Sequence, residues 1–220
     1  MARTYSAVDP AHLPDVLAAD LDAVSPPGRA LRVALDGPRS AHPHALADAL
    51  IEPLRALGHA VVRVRADTFW RDASVRLERG RHDVDAFGHD WLDADALLRE
   101  VLTPLGPDGA GEYLPSLRDP VTNRATREPR QAAGQGAILV LSGELLLGAG
   151  LPFDRTIHLA VSAAGRARRM PDEWAWTLPA FAAYDEDVDP VGHADIVIRL
   201  DDPRHPAISG LTSGRRASRR

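Results

Sequence analysis

Two spacings of apolar residues alternate along the chain. Short apolar runs bounded by Gly, Pro or Asp are typical of buried strands, whereas apolar residues three and four positions apart are typical of helices. Helices are predicted over 9–24, 44–58, 90–102 and 164–185, and strands over 31–37, 60–67, 137–143, 155–162 and 194–200. Because strand, helix and strand alternate with short connections, the pattern favours an α/β doubly wound domain with a parallel sheet flanked by helices.

Breaks in this pattern suggest how the chain is organised. SerProProGly at 25–28 ends the first helix, and residues 106–135 are rich in Gly, Pro and Arg, so a loop is expected there. We predict an N-terminal helical extension over 1–28, one folded domain over 29–206 and a disordered basic tail over 207–220.

Composition and charge limit the kinds of partner that the chain can bind and the kinds of reaction that it can catalyse. The 220 residues are 45% hydrophobic and carry a net charge of −5, which argues against nucleic acid or an anionic membrane as a partner. No apolar run approaches about 18 residues, and residues 1–30 lack the basic-then-apolar order of a signal peptide, so we expect a cytoplasmic protein. The chain has no cysteine, and all 26 of its Lys or Arg residues are arginine. Disulfides, thiolate chemistry and mechanisms that need an ammonium group are therefore excluded.

The segment LDGPRSAHPH (35–44) is the first candidate for chemistry. In parallel α/β sheets, ligands bind beyond the carboxyl ends of the strands. This segment joins a strand to a helix through a glycine-led loop, the architecture in which helix N-terminal N–H groups face a phosphate. The phosphate-loop pattern G-x-x-x-x-G-K-[ST] asks for Gly, Lys and Ser or Thr where this chain has His42, Pro43 and His44. Only Gly37 matches.

Two further segments carry candidate catalytic side chains. Asp67 in ADTFWR (66–71) follows a strand, where it could accept a proton from a hydroxyl, help to hold a metal, or simply cap a helix. In GRARRM (165–170), Arg166 and Arg169 share a helical face and could clamp a phosphoryl group, although a solvated face is the alternative.

Histidine and tryptophan are predicted to have structural roles. The nine histidines show no metal-binding spacing such as HExxH, so no metal site is expected among them. His158 lies in a strand pattern and is predicted to be a hydrogen-bonded sheet residue. Trp174 and Trp176 are predicted to pack the following helix against the sheet, with stacking on a base as the alternative.

The motifs also follow one another in a recognisable order. They run from DGP (36–38) through Asp67 and Phe69, Asp90, the ProLeuGlyPro break at 104–107, Tyr113, Asp119, Ser142-Gly143 and the arginines at 166–169, to ADIVI (194–198) before DDPRHP (201–206). This order resembles the uridine kinase family of P-loop nucleoside kinases over roughly residues 9–206.

The resemblance implies a P-loop NTPase-like three-layer sandwich that transfers a phosphoryl group from ATP, with Mg²⁺, to a nucleoside hydroxyl. It would place Asp67 beside that hydroxyl and the magnesium, and Arg166 and Arg169 on the phosphates. The implied phosphate-binding residues are Gly37, Arg39, Ser40, Ala41, His42 and His44, and the implied substrate-binding residues are Phe69, Asp90, Tyr113 and Asp119. A nucleotide or nucleoside is the implied partner, and a homodimer stays open.

Four positions depart from the family pattern. His42 replaces a glycine that lets the backbone bend around phosphate, Pro43 replaces the lysine and removes an N–H, and His44 replaces the hydroxyl that binds magnesium. Ser142 stands where the family has an acid. Because these losses should leave little ATP-dependent activity, the alternative is an inactive relative that binds a nucleotide or another protein. A phosphate-recognising protein with a different donor is a third hypothesis.

Overall fold

A seven-stranded, mostly parallel sheet forms the centre of the computed structural model, which describes residues 3–212. The strands are β1 (Ser6–Ala7), β2 (Leu31–Asp36), β3 (Val61–Arg65), β4 (Glu112–Tyr113), β5 (Gln131–Ala132), β6 (Ile138–Gly143), β7 (Arg155–Ala160), β8 (Ile196–Arg199) and β9 (Ala207–Ser209). The order across the sheet is β1-β9-β8-β7-β2-β6-β3, while β4 and β5 form a separate antiparallel pair. The prediction of a parallel α/β sheet is confirmed.

Burial along the strands follows their place in the sheet. Every residue of β2 and β6 is buried, because both lie at the centre with helices on either face. Alternate residues of β6 face opposite layers, Ile138 and Val140 packing on one side and Leu139 and Leu141 on the other. Edge strand β3 buries alternate residues only, because Arg63 and Arg65 alternate with the buried Val62 and Val64.

Helices cover both faces of the sheet. Leu17 and Leu21 pack with Leu54 on one face, whereas Leu97 and Val101 pack on the other, which gives three layers. The helices are α1 (Leu13–Val24), α2 (Pro43–Ala49), α3 (Ile51–Ala56), α4 (Ala73–Arg76), α5 (Val84–His89), α6 (Ala94–Leu97), α7 (Ala163–Arg169), α8 (Leu178–Asp187) and α9 (Pro190–His193). A π-helical turn over Leu98–Leu102 extends α6, and 3-10 turns occupy Arg39–Ala41, Ala66–Phe69 and Asp172–Thr177.

Proline and aspartate explain where the helices differ from prediction. The helix predicted over 44–58 is divided into α2 and α3, because Pro53 has no N–H to bond the carbonyl four residues earlier. The helix predicted over 90–102 begins later, since the Asp93 carboxylate accepts the N–H of Ala96 as an N-cap. The helix predicted over 164–185 breaks at Pro171.

The sheet extends past the domain boundaries predicted at 28 and 206. β9 pairs antiparallel with β8, and β1 pairs antiparallel with β9, so both ends of the chain add strands to one edge. Because these strands are only two or three residues long, they leave no alternating pattern in the sequence. Residues 213–220 of the predicted tail lie outside the described residues. Within 3–212, no helix is both long and apolar enough to cross a bilayer.

The strand register brings four carboxyl ends to one edge of the sheet. Asp36 at the end of β2 lies level with Gly143 of β6 and His158 of β7, and Arg65 at the end of β3 lies level with Ser142. The segments that follow these strands therefore meet, as the sequence had suggested.

Candidate functional site

The loop after β2 is folded into a compact turn that uses its own backbone donors. The N–H of Ala41 donates to the Pro38 carbonyl at 2.7 Å, and the N–H of His42 donates to the Arg39 carbonyl at 3.0 Å. His42 has a left-handed backbone with φ of 54°, an arrangement more easily taken by the glycine of the phosphate-loop pattern. Pro43 begins α2 without an N–H. These N–H groups are therefore not directed toward a ligand.

Glu144 binds both the backbone N–H and the guanidinium of Arg39 at the start of this loop. Its Oε1 accepts the backbone N–H of Arg39 at 2.8 Å and the Arg39 Nε–H at 3.2 Å, while its Oε2 accepts the Arg39 Nη2–H. The Arg39 guanidinium also lies over the ring of Trp174, with 3.3 Å between Cζ and the ring centroid. The single arginine of the loop is thus held by a carboxylate and an indole of the same chain.

His44 and Ser142 are hydrogen-bonded to each other. The His44 Nδ1 lies 2.6 Å from the Ser142 Oγ, and its Nε2 lies 3.7 Å from a carboxylate oxygen of Asp67. Asp67 is also paired with Arg65, whose Nη2 lies 2.6 Å from the carboxylate. Burial lowers the pKa of His44 from 6.5 to about 4, with Asp67 opposing the shift and Arg65 adding to it. His44 is therefore a neutral hydrogen-bonding group at pH 7.

This lowered pKa predicts how stability depends on pH. Between about pH 6.5 and 4, the unfolded chain takes up a proton at His44 that the folded chain does not bind, so folding weakens as the pH falls through this window. NMR titration of the His44 ring should give a pKa well below 6. When the pH is lowered from 7 to 4.5, the free energy of unfolding measured in urea should decrease less for His44→Gln than for wild type. A His44 pKa near 6.5 would contradict the arrangement described.

A cavity of about 430 Å³ opens beside these residues, between the end of the sheet and helices α5 and α8. This volume lies in the range of small-molecule sites. Its aromatic lining consists of Trp70, Phe87, Trp91 and Tyr184. The charged groups of the lining are two arginines, Arg39 and Arg65, and four carboxylates, those of Asp67, Asp85, Glu144 and Asp187. Both arginines are already paired with carboxylates, so the free charge in the cavity is negative.

The aromatic wall belongs to a larger cluster that contains all four tryptophans. Trp91 lies edge-on to Trp70 at a centroid distance of 5.1 Å, and Trp174 stacks with Trp176 at 6.2 Å. Phe87 contacts both pairs. Trp174 and Trp176 do pack, as predicted, but against α5 and α8 rather than against the sheet.

Beneath the loop, Asp36 forms a fully buried polar network. Its Oδ1 accepts the Leu146 N–H at 2.9 Å, and its Oδ2 lies 2.7 Å from His158 Nδ1 and 3.0 Å from the Tyr184 hydroxyl. Burial, together with the neighbouring Asp36, raises the pKa of Tyr184 far above its ordinary value, so the hydroxyl stays protonated. His158 is hydrogen-bonded within the sheet, as predicted. The network joins β2, β7, α8 and the segment after β6 into one support for the site.

The predicted phosphate-loop residues take different positions. Arg39 and His44 line the cavity, but Ser40 and Ala41 are buried in the turn, and the Ser40 hydroxyl has no hydrogen-bond partner. A Cβ added to Gly37 would lie 2.7 Å from the Cβ of Leu159 on β7, so this glycine allows close packing of the loop on the sheet.

The four predicted substrate residues lie outside the cavity lining. Phe69 and Tyr113 are buried in the hydrophobic core below the sheet. Asp90 is ion-paired with Arg79, and Asp119 accepts backbone N–H groups within its own turn. Of the residues assigned to catalysis or substrate, only Asp67 lines the cavity.

The two predicted lid arginines are also remote from Asp67. Arg166 is buried, pairs with Asp185 and lies 5.8 Å from the ring centroid of Phe181. It borders a small hollow beside Gly37 rather than the main cavity. The Nε–H of Arg169 is 3.4 Å from the Gly165 carbonyl within α7. The structure therefore does not direct these arginines at the cavity.

Several residues that line the cavity were not among the residues predicted from the sequence. Glu144 and Trp70 each follow a strand end, a signal present in the sequence. Phe87 and Tyr184 reach the cavity from helices far along the chain, and no local pattern marks them.

Comparison with known proteins identifies the fold. No family model matches the chain, and no curated protein matches it. A possible uridine kinase from Bacillus stearothermophilus is 19% identical with a TM-score of 0.67, and the match covers 84% of this chain and 96% of that chain. A proposed fructose transport system kinase from a Silicibacter species is 21% identical with a TM-score of 0.55, covering 84% and 91%. The YGR205w protein is 11% identical with a TM-score of 0.53, covering 89% and 98%.

These likenesses show a P-loop NTPase-like α/β fold, and the predicted fold is confirmed. At such identities they concern the fold only, so function has to be argued from the site itself.

Proposed function

We propose that this protein binds an unphosphorylated nucleoside in the cavity and does not transfer phosphoryl groups from ATP. The observation that carries the proposal is the 2.6 Å contact between His44 and Ser142. The phosphate-loop pattern has a magnesium-binding hydroxyl at the position of His44, and the kinase family that the sequence resembles has an acid at the position of Ser142. In this protein the two side chains form a hydrogen bond with each other as a neutral pair, so the two substitutions together replace the magnesium ligands by one contact.

The loop does not fit magnesium-bound ATP. A phosphate loop acts by directing several backbone N–H groups and a cation at the anion. In this loop the N–H groups of Arg39, Ala41 and His42 are bonded within the protein, and Pro43 has none. Arg39 is neutralised by Glu144. A polyphosphate would have to break these contacts and enter a cavity whose unpaired charges are carboxylates.

The cavity does fit an aromatic ligand without phosphate. Bases stack on aromatic side chains, with a gain of about 1–3 kcal/mol per base. Trp70, Phe87 and Trp91 supply such surfaces on the α5 side. Asp67 lies at the sheet end of the same cavity, where its carboxylate can accept a hydrogen bond from a sugar hydroxyl. The cavity thus offers an aromatic surface to a base and a hydrogen-bond acceptor to a ribose.

Titration of the protein with ligands tests this function. In calorimetry, at least one of uridine, cytidine, adenosine and guanosine should bind at micromolar to millimolar concentration, and should quench tryptophan fluorescence because Trp70 and Trp91 line the cavity. ATP with magnesium should give no heat at about 1 mM, and no nucleoside monophosphate should form over hours. Magnesium-dependent phosphorylation of any nucleoside in the panel would overturn the proposal.

Asp67 provides the matched variant for this experiment. Asp67→Asn should weaken nucleoside binding by about tenfold or more, because a charged acceptor is replaced by a neutral amide. Asp22→Asn changes an exposed acid that pairs with His59 away from the cavity, and should leave binding unchanged. Equal affinities for wild type and Asp67→Asn would show that this carboxylate does not contact the ligand.

A further inference from the structure

Glu144 occupies the position at which the loop would hold an anion. Its carboxylate receives a backbone N–H from the first turn of the loop together with two N–H groups of the Arg39 guanidinium. This donor set, a main-chain amide and an arginine fork, is the one that proteins direct at phosphate. The loop has therefore kept an anion-binding arrangement, and the anion is a side chain of the same protein.

We propose that Glu144 is a specificity-determining residue that keeps phosphate-bearing ligands out of the cavity. The inference rests on the proposed binding of an unphosphorylated nucleoside and deepens it by assigning the discrimination to one side chain. A ligand phosphate could reach the Arg39 donors only by displacing Glu144. The displaced carboxylate would then face the incoming anion at close range, beside Asp67 and with Asp187 also lining the cavity.

The partial burial of the pair strengthens this exclusion. The Arg39 and Glu144 side chains expose only 22% and 11% of their surfaces. Breaking one side of a buried ion pair is costly because the other charge is left without a partner. Stacking on Trp174 holds the guanidinium in place from the opposite side. A ligand without phosphate leaves all of these contacts intact.

The same stacking supplies a direct readout. Since Arg39 lies against Trp174, and Trp174 contacts Trp70, Trp91 and Trp176, a change at Glu144 should alter tryptophan fluorescence even without a ligand. Circular dichroism and urea unfolding show separately whether each variant is folded.

Removing the carboxylate should open the anion position. Calorimetry with inorganic phosphate should detect no binding to wild type at about 10 mM, whereas Glu144→Ala should gain at least about tenfold in phosphate affinity. Wild type should prefer the nucleoside of the panel that it binds best over the monophosphate of that nucleoside, and Glu144→Ala should reduce or reverse that preference. Glu144→Gln keeps the side-chain shape without the charge and should show a smaller gain, which keeps the test available if the alanine variant is unstable.

Two further variants separate a specific site from a general charge effect. Asp187→Ala removes another carboxylate of the lining that has no ion pair among the described residues, and should not create phosphate binding. The double variant Glu144→Ala, Arg39→Ala should lose the phosphate affinity that Glu144→Ala gains. The proposal is overturned if folded Glu144→Ala and Glu144→Gln both bind phosphate no better than wild type, or if Asp187→Ala gains as much.

Failure of the proposed function would look different. If no nucleoside binds wild type but Glu144→Ala gains Arg39-dependent phosphate binding, the exclusion of phosphate by Glu144 stands and nucleoside binding is overturned. If a nucleoside binds wild type but its monophosphate binds equally well, the role of Glu144 is overturned and nucleoside binding stands.

Discussion

Asp36→Ala is expected to lower the free energy of unfolding by about 3–5 kcal/mol, and the melting temperature by about 10 °C. Asp36 is fully buried and accepts hydrogen bonds from Leu146 and Tyr184 while contacting His158. Alanine leaves these groups buried without an acceptor, and each such loss carries a desolvation cost. Urea and thermal unfolding monitored by circular dichroism would measure the effect.

Asp36→Asn is the control that separates charge from hydrogen bonding. The amide retains an acceptor for the Leu146 N–H and should cost clearly less than alanine. Because Leu146 follows Glu144 closely, Asp36→Ala should also loosen the contact between Glu144 and Arg39. A destabilisation below about 1 kcal/mol for Asp36→Ala would show that the network does not support the site.

Trp91→Ala should both destabilise the protein and weaken ligand binding in the cavity. Trp91 is buried, makes edge contacts with Trp70 and Phe87, and lines the cavity. Truncation of a buried aromatic side chain to alanine costs about 3–5 kcal/mol. Loss of its ring should weaken nucleoside binding by about tenfold or more, the equivalent of one stacking surface. Calorimetry and urea unfolding on the same preparations measure both effects.

Trp176→Ala is the matched control, because Trp176 belongs to the same cluster but does not line the cavity. It should lower stability less, since its side chain is half-buried, and leave ligand affinity unchanged. Trp91→Phe keeps a ring in the cavity and should retain most of the binding. Ligand affinity that survives Trp91→Ala would place the ligand elsewhere.

The fold could be predicted from the sequence because local spacing encodes it. Strands β2 and β6 are mostly apolar, and α1 has a helical repeat of apolar residues, so their burial on one or both faces could be inferred from residues close in sequence. The short edge strands β1 and β9 could not, because two or three residues carry no periodicity and their pairing joins opposite ends of the chain.

The site was predicted in part, for a related reason. Asp67, Arg39 and His44 follow strand ends, and topology alone brings such residues together. Phe69 and Tyr113 were assigned to the substrate from the resemblance, but they lie in the core because the apolar surface around them is covered by α6 and the turn that follows it. Whether an aromatic residue faces a cavity or the core depends on the helix that packs against it.

The sequence by itself determined the α/β class, the parallel direction of the main strands, and the loss of the phosphate-loop lysine and hydroxyl. Each of these depends on residue types and spacings that are local in the chain. Only the tertiary structure decided what replaced the missing groups. Arg39 and Glu144 are separated by 105 residues, and His44 and Ser142 by 98. The ion pair and the hydrogen bond between them exist because β2 and β6 are neighbours in the sheet, and that contact gives the rebuilt loop its chemistry.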